Sequence, residues 1–123
     1  MRVLIVDDSR AIRAMIGRLL KELQFETLEA GNGREALEKL RQTGAADLAL
    51  VDWNMPEMNG LEFVQAVRAD ASYNSMPLMM ITTETEMHNV SSALEAGANE
   101  YIMKPFNKEM IAEKISMLGI PVS

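Results

Sequence analysis

Three short, uninterrupted apolar runs constrain the fold of this chain most strongly. They cover residues 3–6, 48–51 and 78–81. Runs of this length without alternating polar residues are typical of strands that are buried on both faces, as in parallel sheets. Residues 25–30 are more polar and predict an edge strand, and residues 101–103 form a short fifth candidate. We therefore expect a sheet of five strands.

Amphipathic helical patterns separate these strands. Apolar residues recur with the i, i+3, i+4, i+7 spacing of one helix face in residues 12–23, 36–40, 61–67, 90–94 and 111–118. Asn59 precedes Glu62 by three residues, and Thr83 precedes Glu86 in the same way, so both pairs predict a helix N-cap with an acid in the first turn. Five strands that alternate with five helices predict a doubly wound α/β domain, in which helices cover both faces of a parallel sheet.

The composition excludes several classes of protein. The 123 residues suffice for one domain, residues 1–123, and leave no room for an output domain. Because 18 acidic residues outnumber 12 basic ones, the net charge of −6 argues against nucleic-acid binding. The absence of cysteine excludes disulfides and thiolate metal sites. The longest apolar stretch, residues 76–81, is far shorter than the ~20 residues of a membrane span. We expect a monomeric, cytoplasmic domain that does not insert into membranes.

Polar residues follow the apolar strands in an informative set. Asp7 and Asp8 follow the first strand, Asp52 ends the third, Thr82 follows the fourth and Lys104 follows the fifth. Ligands of such sheets bind outside the carboxyl ends of the strands, where the strand order reverses. A single aspartate there is usually only a turn or cap residue. If the first and third strands are neighbours, however, three carboxylates converge, and an all-oxygen cluster of this kind suits Mg²⁺.

With these residues in this order, the chain resembles the receiver domains of two-component response regulators, and among them the stand-alone chemotaxis (CheY-like) type. The resemblance covers essentially the whole chain. It rests on Asp7-Asp8, Asp52-Trp53-Asn54-Met55-Pro56, Thr82, and Tyr101 with Lys104-Pro105-Phe106. It implies a flavodoxin-like sheet with the strand order 2-1-3-4-5.

The resemblance also implies a chemistry. Asp52 would accept a phosphoryl group from a histidine kinase in a Mg²⁺-dependent reaction. Asp7, Asp8, Asp52 and the backbone carbonyl of Asn54 would hold the ion, and Lys104 would pair with a phosphoryl oxygen. Such a protein is a switch rather than an enzyme in the usual sense, because it catalyses only its own phosphorylation and dephosphorylation.

Four side chains match positions that have further roles in the family. Thr82 and Tyr101 match the switch, in which the hydroxyl moves toward the phosphoryl group and the aromatic ring swings inward. Without the resemblance, they would be interpreted as a helix cap and an amphipathic strand residue. Asn54 and Glu84 match the positions that orient the hydrolytic water, so we expect a short-lived phosphoryl group. The family also implies a cis bond between Lys104 and Pro105, which turns the lysine inward.

An output surface is implied around Tyr101. Lys114 matches a basic position that chemotaxis regulators use to bind partners, and Met87 lies in the neighbouring helix. We expect these three residues to contact a flagellar motor switch protein or another signalling partner. The sequence Glu86-Met87-His88 departs from the best-known chemotaxis regulator, which has consecutive lysines there. An acidic patch in place of these lysines predicts that the binding surface of the partner has a different shape, or that an acidic peptide binds more weakly.

Other functions remain as alternatives. A stand-alone receiver can also act as a phosphorelay intermediate or a phosphate sink. A Mg²⁺-dependent phosphatase with an aspartyl nucleophile would need an Asp-x-Asp pair after the first strand and a longer chain. A flavodoxin-like cofactor binder would need a Ser/Thr/Gly-rich loop there, whereas Asp7-Asp8-Ser9-Arg10 would repel a flavin phosphate.

Overall fold

The computed structural model describes residues 1–122 and contains a single five-stranded parallel sheet in that part of the chain. The strands are β1 (Arg2–Val6), β2 (Glu26–Ala30), β3 (Leu48–Asp52), β4 (Leu78–Thr82) and β5 (Glu100–Met103). Their order is β2-β1-β3-β4-β5, and all four pairings are parallel. The predicted strand order is confirmed. The order reverses between β1 and β3, so the carboxyl ends of these two strands lie side by side.

Five α-helices follow the five strands, one after each strand, as the periodicity predicts. They are α1 (Arg10–Glu22), α2 (Gly33–Thr43), α3 (Gly60–Arg68), α4 (Val90–Ala96) and α5 (Lys108–Met117). The side chains of Ser9, Asn32, Asn59 and Asn107 each cap the helix that follows by accepting a backbone hydrogen bond. Within residues 1–122, none of the helices combines the length and apolar character of a membrane span.

The segment before α4 differs from the prediction of a regular helix from Thr83 onward. Residues Glu84–Asn89 form a 3₁₀ helix, and α4 begins only at Val90. The carboxylate of Glu86 accepts hydrogen bonds from both the backbone N–H and the hydroxyl of Thr83. These bonds tighten the first turn, as is common at helix N-termini. A second 3₁₀ turn, Ala71–Tyr73, precedes β4 and had no signal in the apolar pattern.

The sheet separates two apolar layers. Alternate strand residues point to opposite faces, so Leu4 and Val51 lie on one face whereas Ile5 and Leu50 lie on the other. Helices α2, α3 and α4 cover the first face, and α1 and α5 cover the second. Because both faces are covered, the central strands are fully buried and read as continuous apolar runs in the sequence.

One glycine positions α3 against the carboxyl end of β3. A Cβ atom at Gly60 would lie 2.7 Å from the carbonyl oxygen of Asp52. The Gly60 N–H donates a hydrogen bond to the carbonyl of Trp53 over 3.0 Å. Only glycine permits this close approach, which keeps the loop between β3 and α3 compact beside the sheet end.

Candidate functional site

The three predicted aspartates converge at the switch point of the sheet. Because Val6 pairs with Val51 across the parallel ladder, Asp7 and Asp8 emerge next to Asp52. One carboxylate oxygen from each residue lies within 4.8 Å of the others. Asp7 is only 1% exposed and Asp52 only 5%, whereas Asp8 is exposed. The crevice thus contains two buried carboxylates and a third at its mouth.

The negative charge of the Asp52 carboxylate is only partly compensated by its surroundings in the crevice. Burial raises the pKa of Asp52 to about 6, and the Asp7 carboxylate adds to the increase, while Lys104 opposes it. The Oδ1 atom of Asp7 accepts a hydrogen bond from the Ser9 N–H at 2.8 Å, but its buried Oδ2 has no hydrogen-bond partner among residues 1–122. Buried carboxylate oxygens without donors are costly unless a cation binds them. The donor set fits a hard divalent cation.

Lys104 supplies the positive charge that the sequence predicts. The bond between Lys104 and Pro105 is cis, as the family resemblance implies. The Lys104 Nζ atom lies 3.5 Å from Oδ1 of Asp52 and 3.7 Å from Oδ2 of Asp7. Both contacts are longer than a good charge-assisted hydrogen bond, which measures about 2.7–2.9 Å. The lysine therefore faces both carboxylates without being tightly bound to either.

Thr82 and Tyr101 lie on adjacent strands near the crevice. Thr82 is buried at the end of β4, and its hydroxyl donates to the carbonyl of Thr83 over 3.3 Å. Tyr101 is half-buried on β5, and the Nζ atom of Lys114 lies 4.4 Å from the centroid of its ring. Lys114 also lies 3.2 Å from the carboxylate of Glu100. The predicted partner-binding lysine is thus held by two neighbours, including the tyrosine itself.

The side chains predicted to orient water do not contact each other. The Nδ2 atom of Asn54 donates a hydrogen bond to Oε2 of Glu86 over 2.7 Å. Glu84 is exposed, and its carboxylate has no hydrogen-bond or ion-pair partner within residues 1–122. The sequence analysis identified Glu86 only as a partner of Thr83. Its contact with Asn54 joins residues 32 positions apart, which no local pattern signals.

Arg13 is a residue that the sequence analysis did not single out. Its Nη1 atom donates to the carbonyl of Asp7 over 2.6 Å, and its Nε atom donates to the carboxylate of Glu29 over 3.0 Å. The side chain is mostly buried. From the first turn of α1, the hydrogen bonds of Arg13 stabilise the acidic turn after β1. The one available signal was its position four residues after the helix cap Ser9.

An apolar groove lies beside the predicted output surface. It has a volume of about 260 Å³ and is lined by Tyr101, Ile102, Met103, Met110, Glu113 and Lys114. Met103 and Met110 are exposed. Met87 is half-buried in the 3₁₀ segment before α4 rather than fully exposed. The methionines at this surface are flexible side chains that adapt to different contours.

The crevice geometry permits one clear chemistry. A buried carboxylate with a raised pKa, flanked by further carboxylates and a loosely held lysine, can act as a nucleophile once a cation offsets its neighbours.

Comparisons with known proteins agree with this geometry. Residues 3–116 match the family model described as the response regulator receiver domain. The chain is 44% identical to chemotaxis protein CheY1 of Helicobacter pylori over 119 residues, which cover 96% of each chain. It is 45% identical to a chemotaxis protein CheY homolog of Campylobacter jejuni over 116 residues, covering 94% of this chain and 89% of that one. Chemotaxis protein CheY4 of Vibrio cholerae superimposes with a TM-score of 0.88 at 38% identity, covering 95% of this chain and 97% of that one.

Proposed function

The chain belongs to the family of response regulator receiver domains, and we propose that it is a phospho-acceptor switch of two-component signalling that uses Asp52 as the acceptor. The observation that carries the proposal is the buried Asp52 carboxylate, which faces Asp7, Asp8 and Lys104 within one crevice. Members of this family are signalling switches and not classical enzymes. The only chemistry proposed here is the gain and loss of one phosphoryl group.

Asp52 acts as the nucleophile. One of its carboxylate oxygens attacks the phosphorus of a phosphohistidine on a histidine kinase. The new O–P bond forms as the P–N bond breaks, and the electron pair leaves with the imidazole. Asp7, Asp8, Asp52 and the backbone carbonyl of Asn54 would hold Mg²⁺, which would supply positive charge beside the phosphoryl oxygens. The Oδ2 atom of Asp7, which has no hydrogen-bond partner among the described residues, and the proximity of the three carboxylates support this set of ligands.

Lys104 binds the phosphoryl group after transfer. Its present contacts with Asp52 and Asp7, at 3.5 and 3.7 Å, are weak enough to be exchanged for one phosphoryl oxygen. As a compact point charge on a flexible stem, a lysine can follow this movement without a change of backbone.

Thr82 and Tyr101 transmit the change to the output surface. The Thr82 hydroxyl donates to the Thr83 carbonyl, and this weak bond of 3.3 Å can be replaced by one to a phosphoryl oxygen. Tyr101 then turns inward and changes the surface that it forms with Lys114 and Met87. A switch of this kind requires that the partner prefer one of two arrangements of this surface.

The proposed partners are a histidine kinase as donor and a flagellar motor switch protein as target. The named relatives of the chain are chemotaxis proteins, which supports a role in chemotaxis signalling. We propose that this role is performed in the cytoplasm. We propose that the chain acts as a monomeric receiver. A phosphorelay intermediate or a phosphate sink is the alternative role for the same chemistry.

Incubation with Mg²⁺ and acetyl phosphate tests the acceptor. We expect one acid-labile phosphoryl group on Asp52, detected by intact mass and located by peptide mapping. Asp52→Asn should abolish it. Asp47→Asn is the matched control, because Asp47 accepts a hydrogen bond from the Arg2 N–H at the opposite end of the sheet. A phosphoryl group on Ser9 or Thr82, or equal labelling without Mg²⁺, would contradict the proposal.

The ion site is tested separately by Trp53, the only tryptophan of the chain, which directly follows Asp52. Millimolar Mg²⁺ should change its fluorescence, as expected for a weak oxygen-ligand site, and beryllofluoride should change it further. Identical spectra with and without Mg²⁺, together with calorimetry that detects no binding, would contradict the ion site.

A further inference from the structure

The carboxylate of Glu86 connects the two loops that flank the crevice. Its Oε2 atom accepts the hydrogen bond from Nδ2 of Asn54 over 2.7 Å, in the loop after β3. Its Oε1 atom accepts from the backbone N–H and the hydroxyl of Thr83, at 3.1 and 3.0 Å, directly after Thr82. Glu86 is half-buried, whereas Asn54 and its bond to Glu86 are exposed. No other carboxylate within residues 1–122 bonds to both loops.

The chemistry of this bridge fixes one end of the Asn54 amide. An ionised carboxylate can only accept hydrogen bonds, so it binds the NH₂ end of the amide and never the oxygen end. The Oδ1 atom of Asn54 has no partner among residues 1–122 and stays available as an acceptor. A side chain held at one end by a carboxylate is oriented in the same way as a catalytic histidine is oriented by its aspartate.

We propose that Glu86 is a positioning residue for the loss of the phosphoryl group, because it orients the Asn54 amide so that Oδ1 accepts a hydrogen bond from the attacking water. This role rests on the proposed function of Asp52. The water oxygen forms the new bond to phosphorus as the bond to the Asp52 oxygen breaks. The electron pair returns to the carboxylate, and the protons of the water leave with inorganic phosphate and into solvent.

The position of Glu86 distinguishes this role from that of Glu84. Glu84 matches the family position for water orientation, yet it has no partner in the described part of the chain. Glu86 does not itself reach the reacting atoms in this role. It acts through Asn54, which lies two residues after the acceptor. An effect of Glu86 on the reaction must therefore disappear when the Asn54 amide is removed.

Decay of the phosphorylated protein tests this dependence. Glu86→Gln should slow the loss of the phosphoryl group by about threefold to tenfold, the rate equivalent of one hydrogen bond. Glutamine can donate as well as accept, so it no longer fixes the amide. Glu95→Gln, an exposed site on α4 with the same change of charge, should leave the rate unchanged. In an Asn54→Ala background, Glu86→Gln should have no further effect.

A slower decay of equal size in both backgrounds would show a general electrostatic effect and overturn the inference. So would an unchanged decay in Glu86→Gln. If the wild-type chain takes up no phosphoryl group, the proposed function fails and the inference fails with it, whereas the preceding outcomes overturn the inference alone.

A second readout needs neither phosphorylation nor metal. In NMR spectra of the unphosphorylated protein, the side-chain amide protons of Asn54 should resonate downfield of those of exposed asparagines, because they bond to a carboxylate. Glu86→Gln should move them toward the exposed positions, and Glu95→Gln should not. Asn54 resonances that are unaffected by Glu86→Gln would contradict the bridge and the role built on it.

Discussion

Arg68 lies at the amino ends of β4 and β5 and Lys104 at their carboxyl ends, and these two cationic side chains are bonded very differently. At the amino ends, the Nε atom of Arg68 donates to the carbonyl of Gly97 over 2.9 Å. Its two terminal nitrogens donate to the carbonyls of Tyr73 and Met76, at 2.8 and 2.9 Å, and to Oδ1 of Asn99, at 2.8 Å. The rigid fork of the guanidinium is thus fully used.

At the carboxyl ends, the Nζ atom of Lys104 makes only two contacts with acidic groups of residues 1–122, and both, with Asp52 and Asp7, are long. A buried oxygen of Asp7 lacks any hydrogen-bond partner in the described residues. Polar groups that are fully bonded rigidify a structure, whereas groups left without partners cost stability and remain available to a ligand. The difference indicates that Arg68 maintains the fold, and it supports the proposed role of Lys104 in the chemistry of the crevice.

The strongest test of this division is Arg68→Ala. The carbonyls of Gly97 and Met76 would lose the donor that Arg68 supplies, and the carbonyl of Tyr73 would keep only the Met76 N–H. We expect the free energy of unfolding in urea to fall by roughly 2–4 kcal/mol. The lifetime of the phosphoryl group on the folded variant should stay unchanged. Arg18→Ala, at an exposed position on α1, should alter stability by less than about 0.5 kcal/mol. A loss of unfolding free energy below about 1 kcal/mol in Arg68→Ala, or an altered lifetime of its phosphoryl group, would contradict the assignment of Arg68 to the fold alone.

At the carboxyl ends of the strands, we expect the buried Asp52 carboxylate to lower the stability of the fold. This effect should depend on pH. The pKa of Asp52 in the fold is about 6, above its ordinary value of 3.8, so the folded carboxyl binds its proton more tightly than the unfolded one. Its contribution to stability therefore falls as the pH rises from about 4 to about 6 and is constant above that range. We expect a change of about 1–2 kcal/mol, because water at the crevice mouth screens part of the full effect.

Urea unfolding of the wild type and Asp52→Asn across this range, without divalent cations, isolates the contribution of Asp52. The stability of the wild type relative to Asp52→Asn should decline with rising pH. A relative gain with rising pH would mean that the carboxylate is already compensated in the fold.

Features of the fold that depend on single strands could be predicted from the sequence. The buried strands were predictable because two-sided burial requires continuous apolar residues, and the positions of Asp7, Asp8, Asp52 and Lys104 follow from strand ends. Strand order came from the family resemblance, since an apolar run carries no information about its neighbour.

Contacts between loops were not predictable in this way. Asn54 and Glu86 lie in separate loops, and Arg68 reaches carbonyls on both sides of β4. No periodicity or motif connects such positions, because their distance depends on how each loop folds. The 3₁₀ start before α4 depends on the same local bonds of Glu86.

A smaller effect is expected from Lys104→Ala. Removal of a cation that competes for Asp52 and Asp7 should tighten Mg²⁺ binding by about threefold, as for a partly exposed ion pair. Titration followed by Trp53 fluorescence measures it. Some phosphorylation should persist, but without coupling to the output surface. Lys108→Ala, which removes a surface pair with Glu22, should leave Mg²⁺ affinity unchanged. Weaker Mg²⁺ binding in Lys104→Ala would mean that the lysine supports the ion site instead of competing with it.

Amide hydrogen exchange, with and without beryllofluoride and Mg²⁺, tests most directly whether one end of the sheet switches while the other stays fixed. Exchange should slow at the acidic crevice, around Tyr101 and in residues 84–94. It should stay unchanged in residues 70–78, where the carbonyls bonded to Arg68 lie. Changes confined to the crevice, or changes of equal size at both ends of the sheet, would contradict the account.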